Sequence, residues 1–146
     1  MHLTFPERAL HCLLLSDPDA KIAALDALHA DWQKGVVPLP DSIEPVQTIE
    51  IPGRPEKPLL VPPQNVPRRS AGTREGHAAL IHALAHIEFN AINLALYAAY
   101  RFRGLPHDYY TDWLQVAFEE AYHFRLLREH LRNLGHDYGS FSAHDG

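Results

Sequence analysis

Nine of the twelve prolines fall between Pro38 and Pro67, in VVPLPDSIEPVQTIEIPGRPEKPLLVPPQNVPRR. Proline removes a backbone donor and disfavours helix at the residue before it, so no helix can run through this stretch. The 146-residue chain is thereby cut into three pieces, residues 1–35, 36–72 and 73–146. Two readings compete for the middle piece. Leu59, Leu60 and Val61, bracketed by Pro58 and Pro62, have no other core available, which predicts an extended segment draped over the long helices. A disordered tether is the alternative. Gln47–Ile51 has the composition of a short strand, with no obvious partner nearby.

The flanking pieces read as helical. Ser16-Asp17-Pro18 is a start signal with proline at the first helical position. Ile22, Leu25, Leu28, His29 and Trp32 follow helical spacing, and Gly35 supplies a stop. Phe5, Ala9, Leu13 and Leu14 mark a shorter helix ahead, so residues 1–35 form a two-helix cap. In the last piece Thr73 caps a proline-free helix to about Arg103, GLPHD breaks it, and a second helix runs from about Tyr109 to Leu134 before Gly135. So short a connection makes the two long helices antiparallel neighbours.

Composition excludes several classes. A formal net charge of -5 offers no basic field to nucleic acid or an anionic membrane. No apolar run approaches the roughly 20 residues of a bilayer span. MHLTFPERAL lacks the basic and apolar regions of a signal peptide. Cys12 is the only cysteine, which removes internal disulfides and cysteine-cluster zinc sites, and nothing beside it would activate the thiol. A cytoplasmic setting is expected.

The chemistry lies in the long helices. Ile81, Leu84, Ala85, Glu88, Ala91, Ile92, Ala95, Ala99 and Phe102 form one stripe, with Glu88 in its middle. Trp113, Val116, Ala117, Glu120, Phe124, Leu127, Leu131 and Leu134 form the other, with Glu120 at its centre and His123 one turn on. A carboxylate on an apolar face needs a proton, a cation or a metal, because an unpaired buried charge is costly. Glu88 stands roughly 22 Å from the hairpin end, Glu120 roughly 17 Å and His123 roughly 21 Å, at 1.5 Å per residue. No stripe Lys or Arg lies level with them. Two carboxylates and an imidazole at one height favour a divalent transition metal, with a polar core network or a solvated stripe as the alternatives. A glutamate from one helix and Glu-x-x-His from its neighbour, each given twice, is the ligand pattern of di-iron and di-manganese bundles.

Other candidates carry less. Glu119 lies four residues before His123 but points about 100° from Glu120, which makes it a reserve ligand. His82 and His86 form an i, i+4 pair able to bind zinc, yet they share their face with Asn90, Asn93 and Tyr97, which reads as a polar or interface face. Tyr122, Tyr109 and Tyr110 read as packing, and the arginine clusters as solvated faces.

HALAHIEFNAINLALYAAYRFRGLPHDYYTDWLQVAFEEAYHFRLLREHLRNLGHDYGSFSAHDG, preceded by PGRPEKPLLVPPQNVPRR, resembles the ferritin-like family called domain of unknown function 455. FEEAYHFRLLREHL and the terminal SAHDG are its most specific phrases. The resemblance implies a ferritin-like four-helix bundle, distantly similar to rubrerythrins and to a tRNA-modifying di-iron hydroxylase. It also implies metal ligation by Glu88, Glu120 and His123. Members of that family look roughly twice as long, so the chain is expected to match their N-terminal half, an all-α helical hairpin with its cap and proline-rich segment.

Three functions follow as expectations. The first is an Fe or Mn oxidoreductase acting on oxygen or peroxide, with two ions per complete bundle. The second is ferroxidase-like metal handling, and the third a metal-free helical interaction module. A lone hairpin leaves apolar faces uncovered, so a homodimer is expected to complete the bundle, without nucleic acid or membrane as partners.

Overall fold

The computed structural model describes residues 3–40, 46–70 and 72–145. Among them are four α-helices, one short 3-10 turn and one pair of two-residue strands, a mostly helical protein.

Helix α1 (Phe5–Leu14) starts at Thr4, which accepts the Glu7 amide while Glu7 reaches back to the Thr4 N–H. This reciprocal capping satisfies two amides left open at a helix start. Helix α2 (Pro18–Gln33) starts where the Ser-Asp-Pro signal predicts: the Asp17 carboxylate accepts the Ala20 amide at 3.0 Å. Helices α3 (Arg74–Arg101) and α4 (His107–Asn133) lie within a few residues of their expected bounds. Thr73 caps α3 through the Gly76 amide at 2.9 Å. Gly135, with φ +84°, follows α4 in the left-handed conformation that favours glycine.

The chain divides into two compact units. Residues 1–54 and 91–120 make the first. Its core gathers around Phe5, whose ring meets Trp32 at 4.7 Å and Tyr110 at 5.5 Å between centroids. Trp32 donates to the Thr111 hydroxyl at 2.9 Å, and His29 stacks on Phe118 while donating to Gln115. The Tyr109 and Tyr110 hydroxyls donate to the carbonyls of Ala98 and Phe102, tying the start of α4 to the end of α3. Buried Lys21 donates to the carbonyls of Cys12 and Leu13 and to Asn93 Oδ1.

Residues 55–90 and 121–146 make the second unit. Phe89, Phe124 and Tyr138 meet at centroid distances between 5.1 and 5.6 Å. Strand β1 (Leu60–Val61) pairs in parallel with β2 (Ala143–His144). Arg128 holds the tail through Asp137 at 2.8 Å.

The proline-rich segment is therefore tied at named points rather than draped along the helices. Gly53 donates to the Leu13 carbonyl at 2.8 Å and accepts from Asn93 at 3.3 Å. Leu59, expected to pack, is 63% exposed, because its neighbours pair with the C-terminal tail through their backbones. Gln47–Ile51 forms no strand; the Gln47 amide donates to the Tyr100 hydroxyl instead. Residues 41–45 lie outside the described residues.

A Cβ at Gly53 would collide with the carbonyls of Leu14 and Leu15. Gly53→Ala is expected to detach this anchor and to speed cleavage after the exposed Glu50 by a glutamyl endopeptidase severalfold, read by limited proteolysis. An unchanged cleavage rate would show that the anchor is dispensable.

Candidate metal centre

The face that each long helix buries overlaps only in part with the stripe its apolar periodicity suggests: Ala85, Ile92, Ala95 and Ala99 on α3 and Ala117, Phe124 and Leu131 on α4 are buried, whereas Leu84, Phe102, Trp113 and Val116 are not. On α3 the buried positions include Ala78, His82, Ala85, His86, Phe89, Ile92, Asn93, Ala95, Leu96, Ala99 and Tyr100. His82 and His86 were expected on a polar or interface face; they are buried because partners distant in sequence satisfy them. The Gly139 amide donates to His82 Nε2 at 3.0 Å. His86 Nδ1 lies 2.8 Å from the Tyr138 hydroxyl, and its Nε2 lies 3.1 Å from the His144 carbonyl. The Asn90 side-chain amide also lies 3.3 Å from Nε2; since a carbonyl can only accept, the contact with His144 requires a proton on Nε2 and leaves Tyr138 to donate to Nδ1.

Glu88 lies about 100° around α3 from Phe89, at the edge of the buried face. Its side chain is 25% exposed rather than buried. Glu120 is likewise half-buried, and the His123 side chain is 51% exposed. Apolar neighbours on the same helices are also uncovered: Leu84 and Ile87 on α3, Val116 and Leu126 on α4. The stripe around the three ligand candidates is thus split: one edge of it joins the chain's own core, and the edge that carries Leu84, Trp113 and Val116 stays uncovered.

The three side chains nevertheless converge. One ligand atom from each of Glu88, Glu120 and His123 lies within 4.8 Å of the others. His123 Nδ1 stands 4.0 Å from Glu88 Oε2, too far for a hydrogen bond. Nitrogen and oxygen ligands sit about 2.0–2.2 Å from a transition metal, so two donors sharing one ion are at most about 4.3 Å apart. The Glu88–His123 separation fits that limit. The widest separation in the group needs only a small side-chain adjustment, or a carboxylate that reaches a second ion. An imidazole and two carboxylates suit Fe or Mn. Glu119, the reserve ligand, is exposed and accepts from Gln115 at 3.2 Å, outside the converging group. Tyr122 is exposed, its ring 6.1 Å from that of His123.

One other reactive group, Cys12, lacks the means to act. Burial pushes the Cys12 thiol up to about 11, with Lys21 pulling the other way, so it is protonated near neutral pH. α3 is long and apolar enough to cross a membrane, its best window reaching a mean hydropathy of 1.3. His and Asn interrupt its apolar run, and 44% of that window is buried inside the protein.

Fold and site together define a mostly helical protein that presents a carboxylate–imidazole group on two long helices. The chain belongs to the family described as Protein of unknown function (DUF455), whose model matches residues 14–146. A protein of Haemophilus influenzae described only as "Uncharacterized protein" is 46% identical, over 92% of this chain and 50% of the relative. The chain thus spans about half the length of the curated relative it matches. No solved structure matches it.

Proposed function

We propose that the protein is a ferritin-like, carboxylate-bridged di-metal protein of oxidoreductase type, and that this chain supplies half of its ligand set. The convergence of Glu88, Glu120 and His123 within 4.8 Å is the observation that carries the reading. In it, the Glu88 and Glu120 carboxylates would hold and neutralise Fe or Mn ions, and the His123 ring would supply one nitrogen. The bound metals would supply one-electron chemistry toward oxygen or peroxide. Phe89 and Phe124, packed beside Glu88 and His123 along their helices, keep water from the buried side.

Three donors satisfy half of the pattern of paired Glu and paired Glu-x-x-His. We therefore propose a second copy of this chain as the partner. The apolar side chains around the ligands are uncovered, and a two-fold pairing would bring the same Glu and Glu-x-x-His a second time. The reading places the protein in the cytoplasm, where its single thiol stays reduced. Ferroxidase-like metal handling is the second reading, favoured by the exposure of His123, which leaves the ligands open to ions from solvent.

Sedimentation with and without Mn(II), together with metal content by mass spectrometry, tests the proposal. The expected result is a dimer strengthened by Mn(II), carrying two ions. A monomer in both conditions would overturn the shared site and leave the other half of a longer chain as its partner. Rapid oxygen consumption with Fe(II) alone would favour metal handling over an organic substrate. Absence of bound metal would leave a metal-free helical module.

A further inference from the structure

A second site lies wholly within residues 55–90 and 121–146. A cavity of about 240 Å³ opens between the first turns of α3 and the C-terminal tail. Its walls are largely apolar, from Val66, Pro67, Ala79, Leu80 and Ala83. Among the described residues no aspartate or glutamate lines it. From Ala83 to Glu88 is five residues, about 140° around α3, so the cavity and the ligand group use different faces of that helix.

The polar groups in its lining that remain available are donors. The Gly139 amide occupies His82 Nε2, so the proton of the neutral ring sits on Nδ1. Burial, reinforced by the neighbouring His86 and Arg69, pushes the His82 pKa down to about 4, so the ring is neutral near pH 7. His82 is 1% exposed and its Nδ1–H makes no hydrogen bond among the described residues, although the residue lines the cavity. The Arg69 guanidinium lies 4.9 Å from the Phe141 ring centre. Its Nε stands 3.6 Å from Glu75, beyond hydrogen-bonding distance, and among the described residues its terminal nitrogens make no hydrogen bond. The Ser142 hydroxyl is also uncommitted among the described residues and lines the cavity. A metal is a poor occupant, because the ring nitrogens of His86 and the Nε2 of His82 are already engaged.

We propose that this cavity binds a small organic carboxylate, its anionic end held by Arg69, His82 and Ser142 and its apolar body lying against Leu80 and Ala83. The planar guanidinium matches a carboxylate with two parallel hydrogen bonds, which is stronger and more directional than a neutral contact. Usual ligand pockets hold about 300–1,000 Å³, so the ligand is smaller than a nucleotide or a drug-sized molecule.

The test is a titration of the whole protein followed by amide NMR, with benzoate, benzyl alcohol and phenyl phosphate as probes. Benzoate at millimolar concentration is expected to shift the amides of Gly139, Ser142 and Ala143 saturably. Arg69→Gln should weaken it about 10- to 100-fold, the loss of a charge-assisted pair, and Ala83→Met should block it by filling the cavity. Ala83 is exposed and helical, so that variant keeps the fold even if the Arg69 variant disturbs Phe141. Benzyl alcohol binding as tightly as benzoate, or no response to benzoate, would overturn the proposal. Phenyl phosphate binding more tightly than benzoate would overturn the carboxylate assignment in favour of a phosphate ligand.

Discussion

Glu120→Ala is expected to lower the affinity for Fe(II) or Mn(II) by at least about 100-fold while leaving helicity unchanged. Losing a group that merely orients a ligand already costs about 10- to 100-fold, and this variant removes a direct donor and a negative charge. Glu120 is only half-buried on an otherwise regular helix, and alanine is the best helix former, so folding should change by no more than about 0.5 kcal/mol. Glu88→Ala and His123→Ala should behave alike. Glu119→Ala should not, because that carboxylate faces Gln115 and stands outside the group. Calorimetric titration with Mn(II) beside far-ultraviolet circular dichroism reads both quantities. Unchanged uptake in the Glu120 variant, or equal losses at Glu119 and Glu120, would reassign the trio as a solvated polar cluster.

The sequence announces helix boundaries more clearly than it announces which helix face is buried. Asp17-Pro18, Thr73 and Gly135 act through bonds within a few residues of themselves, so local chemistry suffices to read them. The buried face of α3 is different. Leucine, isoleucine and alanine surround that helix, and it is Ala85, not the more hydrophobic Leu84, that takes the inside. The structure buries His82, His86 and Asn93 because Gly139, Tyr138 and Lys21 meet them from 52 to 72 residues away. Nothing periodic in the sequence carries that information; Asn93 and Lys21 alone, two polar groups at inward helical positions, could have signalled a buried pair. The trio Glu88, Glu120 and His123 was legible for another reason. Equal height in a hairpin depends only on residue counts along two rigid helices, so it does not require the buried face to be read correctly throughout. The anchor of the proline-rich segment was hidden, since Gly53 matters through what it lacks.

Lys21→Met is expected to destabilise the protein by about 2–4 kcal/mol near pH 7, an effect typical of breaking a buried charged network. The ammonium closes the C-terminal end of α1 through the Cys12 and Leu13 carbonyls at 3.1 and 2.9 Å and holds Asn93 Oδ1 at 2.6 Å. Methionine fills the volume but leaves these acceptors without that donor. For a chain this long the melting temperature should fall by roughly 5–15 °C. The same residue gives the loss a pH dependence. Burial lowers the Lys21 pKa from 10.5 to about 8, with Cys12 pulling it upward. Between those values the unfolded chain binds more protons than the folded one, so this group makes stability rise with pH across the window. Below about pH 8 the amine is charged in both states and the cost of burying the charge stays in full. Cys12 acts oppositely: its thiol, raised from 9.0 to about 11 by burial, makes stability fall as pH rises between those values. The Lys21 contribution is therefore cleanest between about pH 8 and 9, where the parent should gain stability and the Lys21→Met variant should not. Urea denaturation at successive pH values, repeated in a Cys12→Ala background, separates the two groups. A variant as stable as the parent at pH 7, with the same slope above pH 8, would mean that water serves these carbonyls and that the ammonium is not what joins α1 to Asn93.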